Sequence, residues 1–192
     1  MKKKSYALRL QYNAPVVLTF ALLCLGVLFL DWFTLGRSTH LLFCVYRAPL
    51  SDPLTIPRMI LHVLGHSGYD HFLSNMMLML VIGPALEERY GSERLLGCIL
   101  ITALASGLVQ FVFFPGTALM GASGIVFMMI LLASLSGMSK GHIPLTFLLV
   151  AVIYLGDEVA AAVTRQDNIS QLTHIVGGVC GGVLGLAMRE HK

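Results

Sequence analysis

The stretch Met120-Gly121-Ala122-Ser123-Gly124-Ile125 places one serine between two glycines at the start of an apolar run. A serine at the beginning of a helix commonly serves as its N-cap. The positive end of a helix also favours negative charge developing beside such a serine. Ile125 stands where the soluble-hydrolase elbow Gly-x-Ser-x-Gly carries its last glycine. The stretch therefore has two interpretations, a helix cap or a nucleophile, and the second requires a base within reach.

The composition indicates an integral membrane protein. Of the 192 residues, 56% are hydrophobic and 12% charged, whereas a soluble domain carries about 25% charged residues. At this length we expect one membrane domain over residues 1–192. The four cysteines lie far apart in the sequence, at Cys24, Cys44, Cys98 and Cys180. We interpret them as small apolar packing residues and expect neither a disulfide framework nor a zinc site.

The apolar runs predict an all-α fold with six membrane spans. Their approximate ranges are 14–30, 70–86, 95–114, 123–138, 143–163 and 169–188. The fourth is the shortest. Its roughly 16 residues give a helix of about 24 Å, which is too short to cross a hydrocarbon core of about 30 Å. We therefore expect Ser123 to lie below the membrane surface.

The first run could belong to a signal peptide, since lysines 2–4 and Arg9 precede it. However, Asp31-Trp32-Phe33 follows it, and not a small-residue cleavage site, so we expect a retained span. The connection over residues 31–57 is long and contains Pro49, Pro53 and Pro57. Its short apolar patches predict a loop lying in the membrane interface.

The distribution of basic residues predicts the orientation. With six spans, nine of the thirteen Lys and Arg residues fall on the side that holds both termini. The positive-inside rule then predicts that both termini are cytoplasmic, which places Ser123 toward the outer half of the bilayer. We find no internal repeat of the kind that transporters carry.

A candidate base for Ser123 lies in the sixth apolar run. His174 is followed by Gly177, Gly181 and Gly185 at intervals of four residues. Small residues at this spacing let two membrane helices approach closely. A lone histidine in an apolar helix can also be a packing residue, and both interpretations remain open at this point.

A third polar group opens the second span, at His62, His66, His71 and Asn75. His71 and Asn75 are four residues apart, so they share a helix face, and both can donate hydrogen bonds. His62 and His66 share the spacing of zinc ligands, but no His-Glu-x-x-His arrangement is present. A structural hydrogen-bonding role for His62 and His66 is the alternative to a metal site, and we expect no metal.

Together these motifs resemble the rhomboid family of intramembrane serine proteases. The resemblance is carried by the His62, His66, His71 and Asn75 series, by Gly121-Ala122-Ser123-Gly124, by His174 with Gly177 and Gly181, and by Glu87-x-Arg89. It implies a six-transmembrane-helix rhomboid-like bundle with a short, sunken fourth helix. In two places the chain departs from the common pattern: Pro57-Arg58 stands where many members have Trp-Arg, and Phe127 stands where many bacterial members have tyrosine.

The resemblance also implies roles for the residues. Ser123 would be the nucleophile and His174 the general base, forming a dyad. His71, Asn75 and the backbone N–H of Ser123 would line the oxyanion hole. His62, His66, Phe127, Gly177 and Gly181 would support the site structurally, and Glu87 and Arg89 would tie the cytoplasmic ends of the spans together.

The activity implied is hydrolysis of single-span membrane proteins within or near their transmembrane segment. The chain would lie in a cell membrane as a multi-pass protein, in a bacterial plasma membrane, with the bilayer and its substrates as partners and with no cofactor or nucleic acid. The sequence predicts no oligomeric state. Two alternatives remain, a non-catalytic rhomboid-like protein that binds membrane clients and a polytopic transporter.

Overall fold

The computed structural model describes residues 10–137, 142–156 and 169–188, and most of them are helical. The helices are α1 (Pro15–Phe33), α2 (Arg37–Leu42), α3 (Thr55–Leu61), α4 (Tyr69–Tyr90), α5 (Ser92–Phe113), α6 (Ser123–Ser134), α7 (Leu145–Val150) and α8 (Ile169–Ala187). A 3₁₀ turn, His62–Leu64, extends α3, and a π turn, Ala151–Leu155, extends α7. The chain is thus mainly helical, as predicted.

Two of the described helices, α1 and α5, are long and apolar enough to cross a membrane. They coincide with the predicted spans 14–30 and 95–114. Shorter apolar helices correspond to the predicted fourth and sixth spans. The six-span count and the depth of α6 remain predictions.

Several helix ends differ from those predicted. Helix α4 continues through the charged segment that begins at Glu87, and the chain turns only at Gly91, whose φ is +86°. Glycine adopts this conformation without steric penalty. Helix α6 ends at Ser134, before the predicted end at Met138. Met138 lies outside the described residues, as do residues 157–163 at the end of the predicted fifth span.

The connection over residues 31–57 was expected to be a membrane-interface loop, but it has regular structure. It contains α2, the start of α3 and a strand, β1 (Val45–Tyr46). This strand pairs antiparallel with β2 (Ala118–Leu119), with Val45 opposite Leu119. The ribbon attaches the connection to the segment just before Ser123.

Helix α6 lies at the centre of the described structure. Its side chains Ile125, Met128, Met129 and Leu132 are fully buried in the main core. Helices α4 and α8 pack closely against it. A helix surrounded in this way must be apolar on all sides, as α6 is. The first turn of α6 is consequently flanked by neighbouring helices, with Ser123 itself partly exposed.

Glu87 joins three helix ends. The backbone N–H groups of Val16 and Val17 donate to its two carboxylate oxygens at 2.9 and 3.0 Å, and the Ser92 hydroxyl donates at 2.7 Å. The carboxylate therefore caps the first turn of α1 from the end of α4 and contacts the start of α5. Arg89, in contrast, lies over the ring of Tyr90 on its own helix.

Candidate active site

Ser123 is the first residue of α6, and it is not the N-cap. That position belongs to Ala122, and no side-chain cap bond is present there. The predicted capping role of Ser123 is therefore wrong, because the chain turns one residue earlier, at Gly121, with φ at +119°. The Ser123 hydroxyl is partly exposed between buried neighbours. Its backbone N–H belongs to the first turn, whose donors have no acceptor within the helix.

Helices α6 and α8 touch through backbone atoms. A methyl group added at Gly177 would collide with the carbonyl of Gly124, and one added at Gly181 would collide with the carbonyl of Met128. At the next step of four residues, an added methyl at Gly185 would lie 2.7 Å from Leu135. The glycine stripe therefore faces α6, and the two helices run in parallel register.

His174 is a residue of α8, and its ring packs against the face of α6 that carries Ser123. Its imidazole stacks on the ring of Phe127, with centroids 4.2 Å apart and planes inclined by 4°. Phe127 follows Ser123 by four residues, and residues at that spacing share a helix face. The structure thus brings His174, Phe127 and Ser123 together at the N-terminal end of α6. Ser123 and His174 are both partly exposed.

Helix α4 brings His71 to the same place from another side. The Cε1–Nε2 edge of its ring faces Gly121, where an added methyl would lie 2.7 Å from each of these atoms. Only glycine fits at position 121, because both the positive φ and the neighbouring ring exclude a side chain.

Asn75 lies one turn further along α4 and is buried. Its side-chain amide donates to the backbone carbonyl of His71 at 3.0 Å. An amide has two N–H donors, so this bond uses one of them. Asn75 is therefore held in place by its own helix while retaining a second donor.

His62 and His66 support the segment before α4. Nε2 of His62 contacts the carbonyl oxygen of Ala103 at 3.1 Å, and the His62 carbonyl accepts the Gly121 N–H at 3.0 Å. The ring of His66 packs edge-on against His71, with centroids 5.1 Å apart. Burial lowers the pKa of both His62 and His66 to about 4, so both are neutral at pH 7.

One contact was not anticipated from the sequence. The hydroxyl oxygen of Ser67 lies 3.0 Å from Nδ1 of His71, and the Ser67 backbone N–H donates to the same atom at 3.4 Å. The sequence signal that could have indicated this contact is a polar residue four positions before a histidine.

Arginines hold the long first connection near the site. Arg58 is almost fully buried, donates to Asp52 at 2.7 Å and to the carbonyl of Leu41 at 2.8 Å, and lies over the ring of Tyr46. Arg47 donates to the carbonyl of Val112 in the last turn of α5 at 3.1 Å. The connection is therefore attached to α5 as well as to β2.

The site combines a hydroxyl group, an imidazole and several N–H donors. Such a set suits nucleophilic attack on a carbonyl group, because the imidazole can accept the hydroxyl proton and the donors can stabilise a developing oxyanion. Three helices, α4, α6 and α8, contribute these groups.

Comparison with known proteins identifies the family. The model of the Rhomboid domain matches residues 54–191, which is more than half of the sequence. The chain belongs to the rhomboid family. The match begins just before α3 and includes every residue of the site described above.

Individual rhomboid relatives are moderately similar to this chain. Rhomboid-related protein 1 of Caenorhabditis elegans is 31% identical over 130 residues, covering 62% of this chain and 36% of that protein. Rhomboid protease GlpG of Yersinia pestis (strain Pestoides F) is 30% identical over 124 residues, covering 64% of this chain and 44% of that protein. The chain thus spans less than half the length of these curated relatives. With its apolar helices, this rhomboid chain is a membrane protein.

Proposed function

We propose that the chain is an intramembrane serine endopeptidase that uses a Ser123–His174 dyad. The observation that carries the proposal is the stacking of His174 on Phe127, one helical turn from Ser123 on the same face of α6. Membership of the rhomboid family supports it, and so does the printed name of the GlpG relatives.

In the proposed mechanism, the Ser123 Oγ attacks the carbonyl carbon of the scissile peptide bond while His174 takes the hydroxyl proton. The tetrahedral intermediate collapses when His174 gives this proton to the leaving amine. Water then attacks the acyl-enzyme with His174 again as base, which releases the acid and restores the serine. The third residue of a triad orients the imidazole, and the flat contact with Phe127 performs that task here.

The oxyanion would be bound by donors from two helices. These are Nε2 of His71, the remaining amide N–H of Asn75 and the backbone N–H of Ser123. The last has no intrahelical acceptor because it lies in the first turn of α6. Loss of a single oxyanion donor lowers kcat by roughly 10²–10³. His71→Ala and Asn75→Ala should therefore each lower kcat while the protein still folds.

The substrate we propose is a single-span membrane protein cut within or near its transmembrane segment. A helical substrate hides its carbonyls from attack, so it would unwind locally at the site. The proposed setting is a multi-pass arrangement of six spans in a bacterial plasma membrane, with both termini cytoplasmic. Reporter fusions to each terminus would test this orientation.

Labelling with a serine-directed fluorophosphonate tests the nucleophile. Wild-type protein in detergent should be labelled, and Ser123→Ala should not. His174→Ala should react far more slowly, because its serine lacks a base. Ser134→Ala is the matched control, since it removes a serine at the other end of the same helix, and it should label like wild type. Equal labelling of wild type and Ser123→Ala would exclude Ser123 as the nucleophile.

Cleavage of a model single-span protein tests the reaction. Wild type should yield two fragments, and Ser123→Ala and His174→Ala should yield none. A wild-type protein that binds this client without cutting it would instead indicate the client-binding alternative. Solute flux in liposomes, without labelling of Ser123, would indicate the transporter.

A further inference from the structure

Ser67 contacts His71 at the ring nitrogen that faces away from the site. Ser67 lies in the short connection between the 3₁₀ turn and α4, and it is exposed. Both its hydroxyl, at 3.0 Å, and its backbone N–H, at 3.4 Å, reach Nδ1 of His71. Two groups of one residue therefore converge on one ring atom.

These two contacts determine which nitrogen of His71 carries the proton. A backbone N–H can only donate, so Nδ1 must present its lone pair to it. A neutral imidazole has one N–H, which then lies on Nε2. The Ser67 hydroxyl can rotate to donate to the same lone pair. The arrangement disfavours a proton on Nδ1, because that proton would point at the Ser67 N–H.

The other edge of the ring faces the site. Nε2 lies against Gly121, two residues before Ser123. A proton on Nε2 makes this edge a hydrogen-bond donor, whereas the opposite tautomer would present a lone pair to a developing oxyanion. The edge-on packing of His66 keeps the ring in this orientation.

We infer that Ser67 is a positioning residue that fixes His71 as the Nε2–H tautomer and so makes it a donor toward the site. The kinetic consequence rests on the proposed function, because only a peptidase would use that donor. The tautomer itself is independent of any activity. Ser67 would act through His71 without touching the substrate.

Nitrogen NMR of the side chain provides the direct test. In full-length protein labelled with ¹⁵N-histidine, the His71 signals are identified as those missing from His71→Gln. Wild type should show the proton on Nε2. Ser67→Pro, which removes both the hydroxyl and the backbone N–H, should show a measurable population with the proton on Nδ1, and Ser67→Thr, which keeps both groups, should resemble wild type. A proton on Nδ1 in wild type, or an unchanged tautomer in Ser67→Pro, would overturn the inference.

Ser74 offers a matched control. Its hydroxyl also bonds to His71, but to the backbone carbonyl, at 3.0 Å. Ser74→Ala should therefore leave the tautomer unchanged, and a shift equal to that of Ser67→Pro would contradict the inference.

Kinetics separate this inference from the proposed function. In cleavage assays, Ser67→Pro should lower kcat about tenfold with little change in KM, which corresponds to weakening one hydrogen bond. Ser67→Thr should keep the wild-type rate. If wild type cleaves and Ser67→Pro is as fast, the positioning role is wrong while the proposed function stands. If wild type neither cleaves nor labels, the proposed function fails, and the tautomer measurement still decides the inference.

Discussion

The imidazole of His174 lies flat on the ring of Phe127, with centroids 4.2 Å apart and planes inclined by only 4°. A phenylalanine offers no hydrogen bond, so its whole effect on the histidine is through the stacked faces. These faces restrict the rotation of the imidazole, and the proposed dyad requires an imidazole held in one orientation.

Replacing Phe127 by leucine should therefore slow catalysis. The leucine keeps apolar volume but removes the flat face, and an aromatic pair contributes about 0.5–1.5 kcal/mol. We expect kcat for a model substrate to fall roughly threefold to tenfold. Phe127→Tyr should keep the wild-type rate, as should the control Phe113→Leu at the exposed end of α5. A Phe127→Leu protein as fast as wild type would remove the orienting role.

Gly177→Ala should destabilise the protein. The added methyl would collide with the Gly124 carbonyl, and overpacking of this kind typically lowers the free energy of unfolding by about 1–3 kcal/mol. The control is Gly182→Ala on the same helix, where the nearest atom is an ordinary 3.8 Å away on Phe147. Thermal unfolding in detergent would compare them, and equal midpoints would contradict the close contact of α6 and α8.

Glu87→Gln should weaken the attachment of α1. The amide retains one acceptor oxygen where the carboxylate has two, so one of the N–H groups of Val16 and Val17 loses its partner. An unmade buried hydrogen bond lowers stability by about 1–3 kcal/mol. Glu88→Gln is the neighbouring control, because Glu88 is exposed. Urea unfolding in micelles should show a loss for the first variant only.

The Asp52–Arg58 pair should make stability depend on pH. Hydrogen bonds from the Leu54 N–H and from Arg58 hold the pKa of Asp52 below its ordinary 3.8. A carboxyl group with a lowered folded pKa stabilises the fold above its unfolded pKa, and this contribution is lost as the pH falls through the folded pKa. Asp52→Asn should therefore be less stable than wild type at pH 7, with the difference shrinking below about pH 4. A difference that stays constant from pH 7 to pH 3 would contradict the ion pair.

The sequence was sufficient to predict the long helices. Residues 95–114 were predicted as a span, and α5 covers Ser92–Phe113, because a continuous apolar run between charged and Pro-Gly segments has few other interpretations. The glycine spacing after His174 predicted a close helix partner, and α8 does meet α6 at Gly177 and Gly181. Information within one segment of the sequence was decisive in both cases.

Features that depend on distant residues were not predictable in the same way. The pairing of Val45 with Leu119 leaves no local trace in either segment, so the first connection was taken for a loop. The resemblance implied that Glu87 ties ends of the spans together, but the sequence could not name its partners Val16 and Val17, because they lie some 70 residues earlier. The N-cap of α6 was placed one residue late, because the turn depends on the backbone angle at Gly121.

The carboxylate of Glu87 also bears on the order in which the chain assembles. Helix α1 is synthesised before α4, and the group that satisfies its first N–H donors follows about 70 residues later. Until α4 is complete, the start of α1 must rely on water or lipid head groups for those bonds. The hydrogen bonds between Glu87 and the start of α1 can therefore form only after the end of α4 has been synthesised.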